Sequence, residues 1–197
     1  MLENLVERVD VLIVGGGMAN TFLAAQGIDV GRSLCEHELE DTARAILDKA
    51  AARGSEVVLP VDAVVAREFR EGAETRVVPV DGVAADEMIL DIGPQSAGRI
   101  VARLGNCRTL LWNGPLGAFE VPPFDRATVE VARAAAELTE AGRLETVAGG
   151  GDTVAALAHA GVLDRFSYVS TAGGAFLEFI EGKTLPGIEA LERAATA

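Results

Sequence analysis

The chain has 197 residues, of which 49% are hydrophobic and 24% charged, and its formal net charge is -13 at pH 7. This length and composition are typical of one folded domain with a complete hydrophobic core. So acidic a surface repels the phosphate backbone of nucleic acids, and we therefore expect no nucleic-acid partner. A site for a phosphate ligand would need backbone amides, a helix end or a divalent cation to offset this charge.

Several functional classes are disfavoured by simple features of the chain. No apolar run approaches the ~20 residues that a membrane span needs, and the first residues do not resemble a secretory signal. We therefore expect a cytoplasmic protein without a membrane partner.

Cys35 and Cys107 are far apart in sequence and are expected to be reduced thiols. His37 and His159 have no acid or nucleophile beside them in the pattern, so neither is expected to be catalytic.

The chain repeats a pattern of strand, glycine turn and helix. In chain order we expect a strand at 9–14, a helix over 18–27, a long helix over 36–54, a strand at 56–61, a ribbon or flap within 62–87, a brief strand in 88–94, a helix over 95–104, a strand in 107–115, a helix over 124–142, strand–turn–helix units in 144–161 and 166–182, and a short helix over 185–195.

The long helix over 36–54 has the clearest signal. Gly54 supplies a C-terminal stop, and Ser33 with Glu36 has the spacing of a capping box. The predicted apolar stripe consists of Leu39, Ala43, Ile46, Leu47 and Ala50.

Strands without polar alternation, each followed by a helix, indicate a parallel sheet that is covered on both faces. The predicted fold class is a three-layer αβα sandwich, Rossmann-like, with a mostly parallel sheet and a single nucleotide-binding domain over residues 1–197. Ligands of such sheets bind beyond the carboxyl ends of the strands.

Four glycine-containing turns fall at those ends: "VGGGMA", "WNGPLGAFE", "AGGGDT" and "STAGGA". One such turn is explained equally well by close helix–strand packing, but four at one edge favour a ligand site. No turn has the pattern of a Walker-type phosphate loop. The triple glycines match only half of the dinucleotide fingerprint, and no acid follows about 20 residues on, which disfavours an NAD-dependent oxidoreductase.

Asp152 follows Gly149, Gly150 and Gly151 and precedes a helix-like run. One interpretation is a plain N-cap, for which Asp is a favoured residue. The other is a magnesium ligand, because a carboxylate beside phosphates is repulsive unless a hard cation bridges them. The two interpretations are compatible.

The turn "WNGPLGAFE" has a similar choice of interpretations. Leu116 and Phe119 suit a pocket for a flat heterocycle, and Glu120 suits ribose hydroxyls. A plain strand-to-helix turn with Glu120 in solvent is the alternative. The stretch "VSTAGGAF" offers a run of backbone amides without acidic side chains. Such amides suit the position where most negative charge develops during a reaction.

These turns, in this order, resemble the nucleotide-binding C-terminal lobe of the phosphoglycerate kinase family. The matching stretches are "VGGGMANTF", "LPVD", "DIGP", "WNGPLGAFE", "GGGDT", "VSTAGGAFLE" and "GKTLPGIEAL", and they cover essentially the whole chain. The resemblance implies a two-lobed, cytoplasmic, monomeric glycolytic kinase. Its reaction is phosphoryl transfer between 1,3-bisphosphoglycerate and ADP, giving 3-phosphoglycerate and ATP, and its cofactors are Mg²⁺ and ATP/ADP.

The resemblance also implies a role for individual residues. Gly16, Gly17 and Leu90 would line the adenine slot, Asn113 and Pro115 would contact the nucleotide, Glu120 would hold the ribose, Asp152 would ligate the metal, Gly150, Gly151 and Thr153 would lie at the phosphates, and Gly173 and Gly174 would donate amides to the transferred phosphoryl group.

The chain departs from the family pattern in three ways. The substrate lobe, which would bind 3-phosphoglycerate, is absent, and so is the "GGAK"-type turn with its lysine. The two lysines, Lys49 and Lys183, do not stand at that motif, and Ala172 replaces a glycine. We therefore expect the isolated chain to bind magnesium-nucleotide without turnover. A non-catalytic nucleotide-binding module or an inert fragment is the alternative.

Overall fold

The computed structural model describes residues 2–170 and residue 183. Within them the helices and strands follow the predicted order, except for a short first helix over residues 2–5 that was not predicted. In chain order these are α1 (Leu2–Leu5), β1 (Val11–Ile13), α2 (Gly16–Ala25), α3 (Glu40–Arg53), β2 (Glu56–Val58), β3 (Asp62–Ala66), β4 (Arg76–Pro79), β5 (Met88–Ile92), α4 (Pro94–Leu104), β6 (Thr109–Trp112), α5 (Arg126–Glu140), β7 (Glu145–Gly149), α6 (Gly151–His159) and β8 (Tyr168–Ser170).

Five strands pair in parallel and are flanked by helices. β1 pairs with β2, with Val11 opposite Glu56, and β7 lies between β6 and β8, with Thr109 opposite Glu145. Apolar side chains of α2 and α3 pack with β1, while α4 and α5 pack with β6 and β7. The predicted three-layer αβα class with parallel strands is confirmed.

The strand in 88–94 was expected to join the parallel sheet, and this prediction is wrong. β5 runs antiparallel to β3, whose other neighbour is β4, so the three form a separate antiparallel sheet. The predicted ribbon within 62–87 is formed by β3 and β4, and β5 pairs with β3 as a third strand. A short apolar run followed by a helix does not reveal which strand it will pair with.

Residues 36–54 confirm part of the helix prediction. Ala43, Ile46 and Ala50 are buried, and α3 ends at Arg53 with Gly54 as its cap. Leu39, expected in the apolar stripe, is exposed.

The capping box predicted from Ser33 and Glu36 is absent. The Ser33 hydroxyl donates to the Val30 carbonyl and accepts from the Ile89 amide at 2.8 Å. Residues 33–36 belong to a loop in which Ser33 contacts β5, and α3 begins at Glu40, four residues after the predicted start at 36.

Two further expectations concern the whole chain. Cys35 and Cys107 are free thiols, as predicted. No helix in the described part of the chain is both long and apolar enough to cross a lipid bilayer.

One ion pair fastens the antiparallel sheet. The Arg76 guanidinium donates from Nε and Nη2 to the two carboxylate oxygens of Glu87, each at 2.6 Å. Glu87 is buried and also accepts from the Ala84 amide at 3.1 Å. The hydrogen bond from Arg76 is the main reason that the pKa of Glu87 is lowered to about 2.

We predict that Arg76→Gln lowers the free energy of unfolding at pH 7, because it leaves the buried Glu87 carboxylate short of its charged partner. The folded pKa of Glu87 lies below the usual 4.5, so this stabilisation is present above pH 4.5 and is lost as the pH falls towards 2. Urea unfolding at pH 7 and near pH 3 measures the difference.

Arg67→Gln is the matched control, because Arg67 pairs with Asp86 at 2.7 Å on the same sheet but both side chains are largely exposed. Its cost should stay below about 1 kcal/mol. An equal loss in the two variants, or no dependence on pH for Arg76→Gln, would contradict the assignment.

Candidate functional site

The turn between β7 and α6 presents open backbone amides. Gly150 has φ +100° and is the N-cap of α6, whose first hydrogen bond runs from the Val154 amide to the Gly150 carbonyl at 2.9 Å. The amides of the first three helical residues, Gly151 to Thr153, therefore have no acceptor within the helix. Together with the helix dipole they attract an anion.

Asp152 is the second residue of α6 and is exposed. The N-cap interpretation is therefore wrong, because Gly150 occupies that position. In the described part of the chain no group of three His, Cys, Asp or Glu side chains could hold a metal ion. A cation at Asp152 would thus take its remaining ligands from phosphate oxygens and water, which is the habit of Mg²⁺.

Thr153 and Asn113 lock this turn to the one that follows β6. The Thr153 hydroxyl, which is buried, accepts from the Gly114 amide at 2.7 Å. The Asn113 side chain donates from Nδ2 to the Gly149 carbonyl at 2.8 Å. The hydroxyl of Thr153 is therefore occupied by the turn, and only its backbone amide lies at the open end of the helix.

The turn after β6 also contacts the turn after β1. The Gly16 amide donates to the Leu116 carbonyl at 3.0 Å. A Cβ on Gly16 would lie 3.4 Å from the Pro115 carbonyl oxygen, so these two predicted residues are neighbours. On its other side, the turn donates from the Ala118 amide to the Leu90 carbonyl at 2.8 Å.

The structure thus brings most predicted residues to one region, with residues 113–118 at its centre. Glu120 is exposed in the same turn, two residues beyond Ala118. Gly173 and Gly174 lie outside the described residues, and their role stays a prediction. The predicted residues joined by the contacts above are Gly16, Leu90, Asn113, Pro115, Gly150 and Thr153.

The expected heterocycle pocket does not have the predicted walls. Leu116 and Phe119 are only 7% and 5% exposed, so their side chains belong to the interior. Leu34 was missed by the sequence analysis: it is 77% exposed, and its Cδ2 would lie 2.9 Å from a Cβ on Gly17. Leu34 is one of two leucines in the polar stretch 31–41, the other being Leu39, and nothing in the sequence singles it out.

The two histidines have acidic partners that the sequence pattern did not indicate. His159 Nε2 lies 2.8 Å from Asp125 Oδ2, and His37 Nδ1 lies 2.8 Å from Glu40 Oε1. The premise that no acid stands near them is therefore wrong. Asp125 precedes α5 and is brought to the end of α6 only by helix packing.

Comparison with known proteins agrees with this architecture. A family model for phosphoglycerate kinase matches residues 1–183. The phosphoglycerate kinase of Jannaschia sp. (strain CCS1) is 64% identical over 197 residues, which are 100% of this chain and 50% of that protein. The solved phosphoglycerate kinase structure from Coxiella burnetii has a TM-score of 0.92 and 46% identity, covering 99% of this chain and 49% of that one. For the structure from Pyrococcus horikoshii OT3 the TM-score is 0.80 and the identity 30%, covering 97% and 48%.

The parallel strands, flanking helices and glycine turns define a Rossmann-like α/β fold. Within that class, the chain belongs to the phosphoglycerate kinase family, which confirms the resemblance to that family. The chain spans about half the length of the relatives it matches.

We predict that Gly150→Ala destabilises the protein by about 1–3 kcal/mol, because its φ of +100° is disfavoured for any residue with a Cβ. The new methyl would also lie 3.1 Å from Asn113 Nδ2. Gly98→Ala is the control: Gly98 is exposed within α4, with nothing within 4 Å of its Cβ position. It should stabilise by about 0.5–1 kcal/mol. Thermal unfolding of both variants measures the contrast, and a harmless Gly150→Ala would be incompatible with this turn.

Proposed function

We propose that this chain is the nucleotide-binding domain of a phosphoglycerate kinase, comprising residues 1–197 and binding Mg²⁺ with ADP or ATP. In the longer protein the reaction is phosphoryl transfer between 1,3-bisphosphoglycerate and ADP, giving 3-phosphoglycerate and ATP. The observation that carries the proposal is the meeting of the turns after β6 and β7 at the first turn of α6, beside the exposed Asp152.

The polyphosphate occupies the N-terminal end of α6. The amides at the start of α6 supply donors, and Gly151, whose Cβ position has nothing within 4 Å, leaves open space beside them. This local donor set offsets the repulsion that a chain of net charge -13 exerts on a nucleotide. Asp152 would hold Mg²⁺ there, and the cation would neutralise negative charge on the nucleotide.

The nucleoside lies along the turn that follows β6. Gly16, Gly17 and Leu90 line the adenine slot, and exposed Leu34, which lies against Gly17, adds an apolar surface. Asn113 and Pro115 contact the nucleotide, and the Glu120 carboxylate accepts from ribose hydroxyls. The last assignment agrees with the exposure of Glu120 at the end of an anchored turn.

Catalysis of this kind depends on positioning and charge stabilisation, without a covalent nucleophile. The amides of Gly173 and Gly174 serve the transferred phosphoryl group in this proposal. The second substrate, 3-phosphoglycerate, is bound by the remainder of the longer protein, which acts in the cytoplasm as a monomer.

One alternative is a nucleotide-binding module without turnover of its own. The test begins with binding of ADP and Mg²⁺ by calorimetry, followed by a kinase assay after the family's substrate lobe is added as a separate polypeptide. We expect binding by the chain alone and turnover only with both parts. Binding without turnover in the mixture would favour the alternative, and no binding would refute the proposal.

We predict that Asp152→Asn weakens ADP binding about 10- to 100-fold in the presence of Mg²⁺, because a charged metal ligand is lost. Without Mg²⁺ the substitution should leave ADP affinity unchanged or improve it, since a carboxylate beside phosphates is repulsive. Calorimetric titrations with and without Mg²⁺ separate these effects.

Asp48→Asn is the matched control, because Asp48 is an exposed acid on α3 and changes net charge equally. It should alter neither titration by more than about 2-fold. A loss of affinity in Asp152→Asn that is equal with and without Mg²⁺ would contradict the metal assignment.

A further inference from the structure

Asp91 is a buried carboxylate that none of the roles above uses. It lies near the carboxyl end of β5 and is 1% exposed. Its Oδ1 accepts from the Ile92 amide at 2.9 Å, and its Oδ2 accepts from the Ala127 amide at 3.0 Å. Ala127 is the second residue of α5, so this carboxylate caps a helix that is 36 residues away in sequence.

The same carboxylate lies directly against the turn after β6. A Cβ on Gly117 would be 2.2 Å from Asp91 Oδ1 and 2.8 Å from the Phe124 carbonyl oxygen, so only glycine fits. The neighbouring Ala118 amide is held by the Leu90 carbonyl at 2.8 Å. Residues 90 and 91 therefore hold both ends of the segment 117–127. Gly117 and Ala118 are held at one end, and Ala127 is held at the other.

We propose that Asp91 is a positioning residue that fixes segment 117–127 and thereby sets the location of Glu120. Glu120 lies three residues after Gly117 and seven before Ala127, inside the anchored segment. Asp91 does not touch the nucleotide in this arrangement, and acts through the backbone that carries the ribose-binding carboxylate. The effect on nucleotide affinity rests on the proposed function, whereas the anchoring of the segment does not.

The electrostatics of Asp91 agree with a role in geometry. Burial raises its pKa to about 7, against the opposing effect of the Ala127 and Ile92 amides, and the carboxylates of Asp125 and Glu130 raise it further. Asp125 itself is paired with His159 on α6. The pKa of Asp91 in the folded protein lies above the usual 3.8. Ionisation of Asp91 therefore lowers the free energy of unfolding as the pH rises from 3.8 to about 7. Both oxygens of this costly buried group nevertheless accept from backbone amides, as a positioning role requires.

Asp62 supplies a matched control within the same sheet. It is also buried, and it caps α4 by accepting from the Gln95 amide at 3.0 Å and the Ser96 amide at 2.8 Å. Its carboxylate lies against Gly93 and makes no described contact with residues 113–127. Asp62→Asn therefore removes a buried helix cap of the same kind without loosening the nucleotide turn.

The experiment compares the full chain with its Asp91→Asn and Asp62→Asn variants by amide hydrogen exchange without ligand. We expect Asp91→Asn to accelerate exchange at Ala118 and Ala127 by about 10-fold relative to α4 amides. Asp62→Asn should accelerate exchange at Gln95 and Ser96 and leave Ala118 unchanged. Unchanged protection of Ala118 in Asp91→Asn, or equal loss in both variants, would overturn the inference.

Titration with Mg²⁺ and ADP then tests the consequence for Glu120. Asp91→Asn should weaken binding about 10-fold, and Asp62→Asn by less than about 2-fold, even where it lowers Tm more. Equal affinities in the two variants would overturn the link to the nucleotide. If the unsubstituted chain binds no ADP, the proposed function fails, while the exchange data still decide whether Asp91 anchors the segment.

A measurement on the unsubstituted protein covers the case in which Asp91→Asn does not fold. Because one pair of residues holds both ends of the segment, Ala118 and Ala127 should open together, with protection factors within about 3-fold of each other. Independent opening of the two amides would refute the anchoring.

Discussion

The hydrogen bond between the Gly114 amide and the Thr153 hydroxyl is the contact on which the candidate site depends. It joins the turn after β6 to the first turn of α6, and the bond from Asn113 to the Gly149 carbonyl reinforces it. Thr153 is 1% exposed, so an unpaired hydroxyl there would carry a desolvation penalty. The requirement that buried polar groups be paired therefore fixes the two turns relative to each other.

The antiparallel sheet has a structural part in this site, although it contributes few of the predicted residues. Two of its buried carboxylates, Asp62 and Asp91, cap α4 and α5 by accepting from amides in the first turn of each helix. Helix N-termini leave such amides without intrahelical acceptors, and a side chain from elsewhere can satisfy them. In this way β3 holds the start of α4 and β5 holds the start of α5. The contact from β5 also positions the segment that leads into α5.

Sequence reasoning succeeded where the signal was local. Glycine turns after apolar strands and the stop at Gly54 depend on residues close together in the chain, and the structure confirms those that fall within residues 2–170. It failed where a distant partner decided the outcome. Ser33 bonds to β5 in place of a helix amide, Phe119 turns inward against His159, and His159 finds an acid 34 residues away.

The sequence by itself determined the strand–turn–helix order, the positions of the glycine corners and the family to which the chain belongs, because each of these is carried by short stretches of residues. Tertiary structure decided which strand pairs with which, which apolar side chains remain exposed, and which carboxylates are buried at helix starts. Leu34 and Leu116 illustrate the difference, being equally apolar in sequence but 77% and 7% exposed. Burial and partner choice depend on contacts between residues that are distant in the chain, which composition and spacing do not encode.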